Sequence, residues 1–369
     1  MLPSRWVESH LRGPIDTTYL GALDEPEAFH RALPGYAPTP LKALPGLARE
    51  LGLGAVWVKD EGRRFGLNAF KCLGASYALH KIAATLPAGQ RITVTTATAG
   101  NHGRAVAWAA RRLGHDAVVF VPRGTATARI DAIHAEGARC EIVDGTYDEA
   151  VRLAAVEAKV HGWHVVSDTS WAGYDAVPAW IMAGYTTLFR EALAQLGDAF
   201  PTVAMLQAGV GGLALAGVAT LAPLAPRPKL VAVEPIEADC LATSAASADG
   251  AIVQGRGGQR SMMAGLNAGL VSKLAWPALR GALDGYLAID DAWAATAMRR
   301  YAHPVGDDPA VRAGESGAAG LGGLLALCGE PALAGVRRAL GLDASARVLV
   351  VCTEADTDPV NYRHVVEGA

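Results

Sequence analysis

The sequence predicts an α/β protein made of two doubly wound α/β domains with mostly parallel sheets. Three observations predict it. From Ala55 to Val166, short runs rich in Val alternate with helical stretches, and such alternation implies parallel strands joined by crossover helices. A second alternating block begins at Val203, and its last clear strand comes at Val348-Leu349-Val350-Val351. The chain has 369 residues, long for a single hydrophobic core. A cleft between two such domains is a usual place for a ligand.

The elements follow in order. Prolines hold Tyr36-Ala37-Pro38-Thr39-Pro40-Leu41 extended, and Pro45 opens a short helix to Leu51. Ala55-Val56-Trp57-Val58-Lys59 reads as a strand and Ala75 to Ile82 as a helix, with Lys71 at the junction before it. Strands are expected at Arg91 to Thr95, Ala117 to Val121, Cys140 to Val143 and His164 to Val166. Helices are expected at Gly103 to Leu113, Thr127 to Glu136, Tyr147 to His161 and Ala179 to Leu196. The second block supplies the strand Val203 to Leu206, the helix Leu213 to Leu221 and the strand Leu230 to Glu234. Gly250 to Leu270 is rich in glycine, lacks apolar periodicity and reads as a loop.

Composition narrows the class. Hydrophobic residues make up 51% and charged residues 19%, which fits a well-buried enzyme and not a disordered chain. A net charge of -3 without a basic block argues against nucleic acid or an anionic membrane as partner. Met1 to Pro14 carries Arg5, Glu8 and Arg12 and no apolar core, so no signal peptide is expected. The five cysteines, Cys72, Cys140, Cys240, Cys328 and Cys352, show no C-x-x-C pair. Neither a zinc site nor a disulfide framework is expected, and a reducing cytoplasm is. The run Val203 to Ala225 is long enough for a membrane span, but Gln207, Gly209, Gly211, Gly212, Gly217 and Pro223 break it. A buried strand, a tight loop and a buried helix explain it better.

Five stretches can carry chemistry. Lys71 lies between Phe70 and Leu73, and desolvation there lowers the pKa of an amine, as a nucleophile requires. Thr98-Ala99-Gly100-Asn101-His102-Gly103 opens a helix with small residues, an anion site suited to a carboxylate. His102 is an acid or base there, or it only caps and packs. Ser167-Asp168-Thr169-Ser170-Trp171-Ala172-Gly173-Tyr174-Asp175 follows a strand; Asp168 and Asp175 can meet a substrate amine or merely cap a helix. Gln207-Ala208-Gly209-Val210-Gly211-Gly212-Leu213-Ala214 can cradle a phosphate. It also fits G-x-G-x-x-A with Glu234 ending the next strand, the spacing of a dinucleotide site. Glu315 lies at the start of a helix beginning near Ser316, and Cys352 or Thr353 can place a weakly acidic donor after the last strand.

Taken in order, Asn68-Ala69-Phe70-Lys71, Gly100-Asn101-His102-Gly103, the loop Gly209 to Leu213 and Gly314-Glu315-Ser316-Gly317-Ala318-Ala319 resemble the fold-type II pyridoxal phosphate enzymes, the tryptophan synthase β family. Arg64-Phe65-Gly66-Leu67-Asn68-Ala69-Phe70-Lys71, Asp168-Thr169-Ser170-Trp171, Met263-Ala264-Gly265-Leu266 and Thr353-Glu354-Ala355-Asp356-Thr357-Asp358 are similar to the diaminopropionate ammonia-lyases within it. The resemblance runs from about Tyr36 to the C-terminus. It implies a large domain of residues 1–73 and 188–369, a small domain of 74–187, pyridoxal 5'-phosphate in the cleft between them, and a homodimer. Lys71, beside Phe70, would hold the cofactor as a Schiff base, and Asn101 would bond its phenolic oxygen. Gly209, Val210, Gly211, Gly212 and Leu213 would hold its phosphate through backbone N–H groups. Cys352, with Thr353 as second choice, would face the ring nitrogen; a neutral partner there favours β-elimination. Thr98, Ala99, Gly100, His102, Asp168 and Glu315 would meet a small amino-acid substrate. The freed Lys71 amine would remove the Cα proton, and loss of the β-substituent would give a 2-oxo acid and ammonia.

Two departures stand out. The family pattern Thr-Asp-Gly-Asn-His-Gly has Ala at position 99 here, and Ala99 cannot transfer a proton, which predicts loss of activity on the D-isomer. Asn267-Ala268-Gly269-Leu270-Val271-Ser272-Lys273 replaces a Cys-Gly-Glu-Pro-Asn run near the substrate region. The alternatives are a serine or threonine dehydratase-like reaction, a β-replacement synthase, a catalytically dead relative, or a nicotinamide-dependent oxidoreductase using Gly209 to Glu234.

Overall fold

The fold is described from a computed structural model for residues 1–98, 100–145 and 147–368, leaving aside the side chains of Tyr147 and Asp148. The chain forms two compact units. The first comprises Met1–Gly21, Ala37–Ala69 and Leu188–Ala369, and the second Ala22–Tyr36 and Phe70–Thr187. Residues 22–36 and 70–73 therefore fall with the second unit, where the sequence reading put them in the large domain. The reason is packing. Helix Asp24–Ala32 carries the buried His30, which bonds the Leu73 carbonyl at 2.9 Å and the Thr187 hydroxyl at 2.8 Å. Residues 71–73 are already the first turn of helix Lys71–Ala84.

Among the described residues, eleven strands follow along the chain. They are β1 (Arg5–Glu8), β2 (Leu41–Ala43), β3 (Ala55–Asp60), β4 (Thr93–Ala97), β5 (Asp116–Pro122), β6 (Arg139–Val143), β7 (His164–Val165), β8 (Val203–Gln207), β9 (Lys229–Pro235), β10 (Gly285–Ile289) and β11 (Arg347–Cys352). The first unit holds a seven-stranded sheet in the order β1-β10-β9-β8-β11-β3-β2. Its five inner strands are parallel, and the short edge strands β1 and β2 pair antiparallel. Every residue of β8 and β10 is buried, the pattern of parallel strands covered on both faces. The second unit holds a parallel sheet in the order β6-β5-β4-β7.

The apolar run after Pro201 folds as expected: β8, a glycine turn and the buried helix Gly212–Leu221. Among the described residues no single helix is long and apolar enough to cross a membrane. One bent pair, Glu315–Gly329 with Pro331–Ala339, passes by length and composition, but residues 315–327 are buried in the first unit.

The first unit also contains a buried charge cluster. Lys59 Nζ lies 2.7 Å from Glu191 Oε2, and Arg64 bridges Glu61 and Glu191 at 2.7 Å each. Thr39 donates its hydroxyl to Glu61. All four charged side chains are at most 1% exposed. Two cations and two carboxylates balance, so each buried charge has an opposite partner. Arg64 thereby anchors the segment before Lys71, where Phe65 and Asn68 take left-handed φ of 50° and 61°.

Candidate active site

In the second unit, β5 and β6 lie on one side of β4 and β7 on the other. Strand order thus reverses between β4 and β7, and ligands bind at the carboxyl ends of strands at such a switch point. Thr98 to Gly103 follows β4, and Ser167-Asp168 closely follows β7. Lys71, the first residue of its helix, donates from Nζ to Asp168 Oδ2 at 2.6 Å. The Phe70 and Tyr185 ring centres stand 5.4 and 5.6 Å from Nζ.

The expectation that desolvation lowers the Lys71 pKa is corrected here. Burial does pull it down, but the adjacent Asp168 carboxylate and Tyr185 outweigh burial and hold it above the usual lysine value. Without cofactor, Lys71 is therefore an ammonium at neutral pH. For Asp168, burial pushes the pKa up, but Lys71 and His102 hold it below the usual carboxylate range.

Asn101 opens helix Asn101–Arg112 behind an extended Gly100. The Gly100 N–H donates to the Thr98 hydroxyl at 3.1 Å, and a Cβ at Gly103 would lie 2.5 Å from the Thr98 carbonyl. Glycine is thus required at 103, whereas Gly100 has room for a Cβ. Ala99 lies outside the described residues. His102 is buried, with Nε2 2.9 Å from the Val166 carbonyl and Nδ1 3.9 Å from Asp168 Oδ2. Burial lowers its pKa despite Asp168, so a neutral ring donating from Nε2 ties the helix to the chain leaving β7. This is the packing alternative of the sequence reading.

Tyr174 lies in the segment that follows β7. Its hydroxyl donates to the Val165 carbonyl at 2.8 Å and accepts the Ser167 N–H at 2.9 Å, and its ring stacks on Trp171 at 4.0 Å. It braces the turn that presents Asp168.

The first unit has its own switch point, between β8 and β11. The glycine loop follows β8, and Thr353 follows β11. Gly211, with φ of 97°, precedes helix Gly212–Leu221, and a Cβ on it would lie 2.7 Å from Leu279. The Gly209 carbonyl accepts from Cys240 Sγ at 3.5 Å and the Val210 carbonyl from the Ser272 N–H at 2.9 Å. With those carbonyls tied back, the loop and the first turn at Gly212 and Leu213 offer N–H groups, which suit a phosphate. The segment after Leu266, where the sequence departs from its family, thus supports this loop through Ser272.

Gln207 joins the parts. Its amide donates to the carbonyls of Val351 at 2.8 Å and Ser316 at 3.2 Å and reaches the Thr353 hydroxyl at 3.4 Å. Ser316 accepts the Gly265 N–H at 3.0 Å, and Glu354 caps the Ser316 N–H at 3.2 Å. Cys352 is turned elsewhere: its thiol faces the carbonyls of Glu354 and Arg312 at 3.3 and 3.9 Å, within the core. Glu315 accepts a hydrogen bond from the Asn361 amide, and burial raises its pKa.

The dinucleotide alternative fails at Glu234. That carboxyl is buried and accepts the N–H groups of Leu241 and Ala242 at 2.7 and 2.8 Å. It caps helix Cys240–Ala245 and is not presented to a ribose. Among the described residues no group of three or more potential metal ligands is found.

Comparison with known proteins shows the family. The family described as pyridoxal-phosphate dependent enzyme matches residues 32–353. Diaminopropionate ammonia-lyase from Escherichia coli K12 is 43% identical over 357 residues, covering 92% of this chain and 89% of that protein. The crystal structure of the Escherichia coli enzyme with an aminoacrylate-PLP azomethine reaction intermediate superposes with a TM-score of 0.91 at 40% identity, covering 100% of this chain and 98% of the other. Its complex with D-serine gives 0.92 at 39%, covering 99% and 97%. The chain therefore belongs to the fold-type II pyridoxal-phosphate dependent enzymes, as a carbon–nitrogen lyase similar to diaminopropionate ammonia-lyase.

Proposed function

We propose that this protein catalyses β-elimination on a small L-amino acid of the 2,3-diaminopropionate class, releasing pyruvate and ammonia. The observation that carries the reading is the Lys71–Asp168 pair at 2.6 Å, at the strand ends that also present the Asn101 loop. When bound, pyridoxal phosphate withdraws electrons from the Cα of the amino acid joined to it, easing loss of the Cα proton and the β-substituent.

The chain's residues do the rest. Lys71 Nζ is the attachment point and, once freed as a neutral amine, the base at Cα. Asp168 Oδ2 is within hydrogen-bond reach of that nitrogen, so it can accept a proton from Nζ or hold a substrate ammonium. Lys71 is therefore not the only base, even with Ala99 in the family's aspartate position. N–H groups at Asn101 and its turn orient the substrate carboxylate, with Thr98, Gly100 and His102 shaping the turn. Backbone N–H groups from Gly209 to Leu213 hold the phosphate. Thr353 is favoured over Cys352 as partner of the ring nitrogen, because the Cys352 thiol faces two carbonyls in the core while Thr353 adjoins Gln207. Glu315, already engaged by Asn361, supports the site without acting on the substrate. The holoenzyme is read as a cytoplasmic homodimer, which sedimentation velocity and cell fractionation would test.

The deciding experiment is a substrate panel on protein saturated with pyridoxal phosphate: both enantiomers of 2,3-diaminopropionate, L-serine and L-threonine. The L-diamine should give one pyruvate and two ammonia, and the D-diamine little until Ala99→Asp restores a carboxylate. Lys71→Ala should abolish both the visible absorbance band and turnover. No pyruvate from any substrate would overturn the assignment.

A further inference from the structure

Tyr185 has no part in the reaction described so far. It lies on helix Ala176–Leu196 and is 1% exposed. Its ring meets Phe70 with centroids 4.6 Å apart and fills the space over Gly74, where a Cβ would come within 2.5 Å of its Cε1. Lys71 Nζ stands 5.6 Å from its ring centre. Among the described residues its hydroxyl makes no well-formed hydrogen bond, but it lies near enough to the Lys71 ammonium to act on it. A buried hydroxyl left unpaired is destabilising, and native proteins pair nearly all such groups. Phenylalanine would pack the same way without that cost.

The surroundings say what the hydroxyl serves. Lys71 and Asp168 are the charged groups that act on it. Burial pushes its ionisation well above that of an ordinary phenol, so it stays a neutral O–H and works by hydrogen bonding. Asp168 cannot pin Lys71 with Oδ2 and give the same lone pair to a substrate ammonium. A neutral amine released from Asp168 rotates freely unless a second group holds one of its N–H bonds.

We propose that Tyr185 is a positioning residue for Lys71: its oxygen accepts one N–H of the neutral amine when Asp168 is engaged by substrate, leaving the Nζ lone pair free for the Cα proton. The inference rests on the assignment of Lys71 as cofactor carrier and base.

The test compares wild-type holoenzyme with Tyr185→Phe, using Tyr286→Phe as control. Tyr286 is also fully buried, its hydroxyl makes no well-formed hydrogen bond although Ser9 lies near it, and it belongs to the first unit. Both variants should keep the thermal midpoint, since each loses a buried hydroxyl that makes no well-formed hydrogen bond. In Tyr185→Phe alone, kcat for L-2,3-diaminopropionate should fall roughly tenfold with KM changed less than about twofold, as expected when ground-state binding is untouched. The visible band of the Lys71-linked cofactor should titrate at lower pH, because an acceptor for the protonated nitrogen is gone. Unchanged kcat and titration would overturn the proposal. So would a lower midpoint in Tyr185→Phe, which would mean the hydroxyl has a structural partner. Wild-type protein that makes no pyruvate would instead refute the assigned reaction, and the absorbance titration would still decide whether Tyr185 acts on Lys71.

Discussion

The sign of the Lys71–Asp168 interaction is open to a direct pH test. Asp168 is held below its ordinary value of 3.8, so its contribution to stability is present above about pH 4 and is lost as pH falls through the depressed folded-state value. Lys71 is held above 10.5, so its share is present below that pH and is lost as pH rises through the raised value. In cofactor-free protein, the midpoint difference between wild type and Asp168→Asn should be largest near neutral pH and narrow towards both extremes; a difference independent of pH would refute the pairing. In the holoenzyme, Asp168→Asn should lower turnover of the L-diamine by roughly 100-fold or more, the usual weight of a positioned acid–base group. Tyr174→Phe removes both hydrogen bonds that brace the Asp168 turn. It should lower turnover less than Asp168→Asn does.

Two short segments depend on single carboxylates. Glu191 neutralises Lys59 and Arg64 in a dry interior, and their hydrogen bonds and charge hold its pKa below the usual carboxylate range against the upward pull of burial. Glu191→Ala leaves a net positive charge buried, and breaking such a pair costs about 3–5 kcal/mol. The thermal midpoint should drop by several degrees. Because Arg64 begins the segment that leads to Lys71, cofactor affinity should weaken as well, measurable by absorbance titration. Glu234 plays the capping part for helix Cys240–Ala245. Glu234→Ala exposes two buried N–H groups and should cost about 1–3 kcal/mol in urea unfolding. Retained visible absorbance in that variant would separate this cap from any role in binding a nucleotide.

At the scale of the molecule, a ligand that binds only the folded chain stabilises it by mass action. Saturating pyridoxal phosphate at about 100 times its Kd should add about 2.7 kcal/mol. Stripping the cofactor with hydroxylamine should lower the midpoint, and adding it back should restore it. Much of the frame was legible along the chain. Helix Tyr147–His161 and helix Pro45–Leu51 match the expected bounds, because their periodicity and the proline at the first helical position are local signals. Strands β1, β2 and β10 leave little trace in the sequence. The first two are short edge strands of four and three residues, and β10 has a glycine start and little contrast with the flanking helices. Helix Glu315–Gly329, expected from near Ser316, is buried nearly all round, so beyond its start it carries no amphipathic stripe. Lys71, the Asn101 turn and the Gly209 loop were legible because amine, small-residue turn and helix start lie within a few residues of one another. The sequence by itself determined which groups the site has to work with. Only the tertiary structure decided their state. Asp168, 97 residues from Lys71, turns an amine expected to be easily deprotonated into a held ammonium, and Tyr185 adds a buried hydroxyl that acts on that amine and has no signal of its own. Charge interactions fall with distance through space and not with separation along the chain, so no local reading could assign the Lys71 proton.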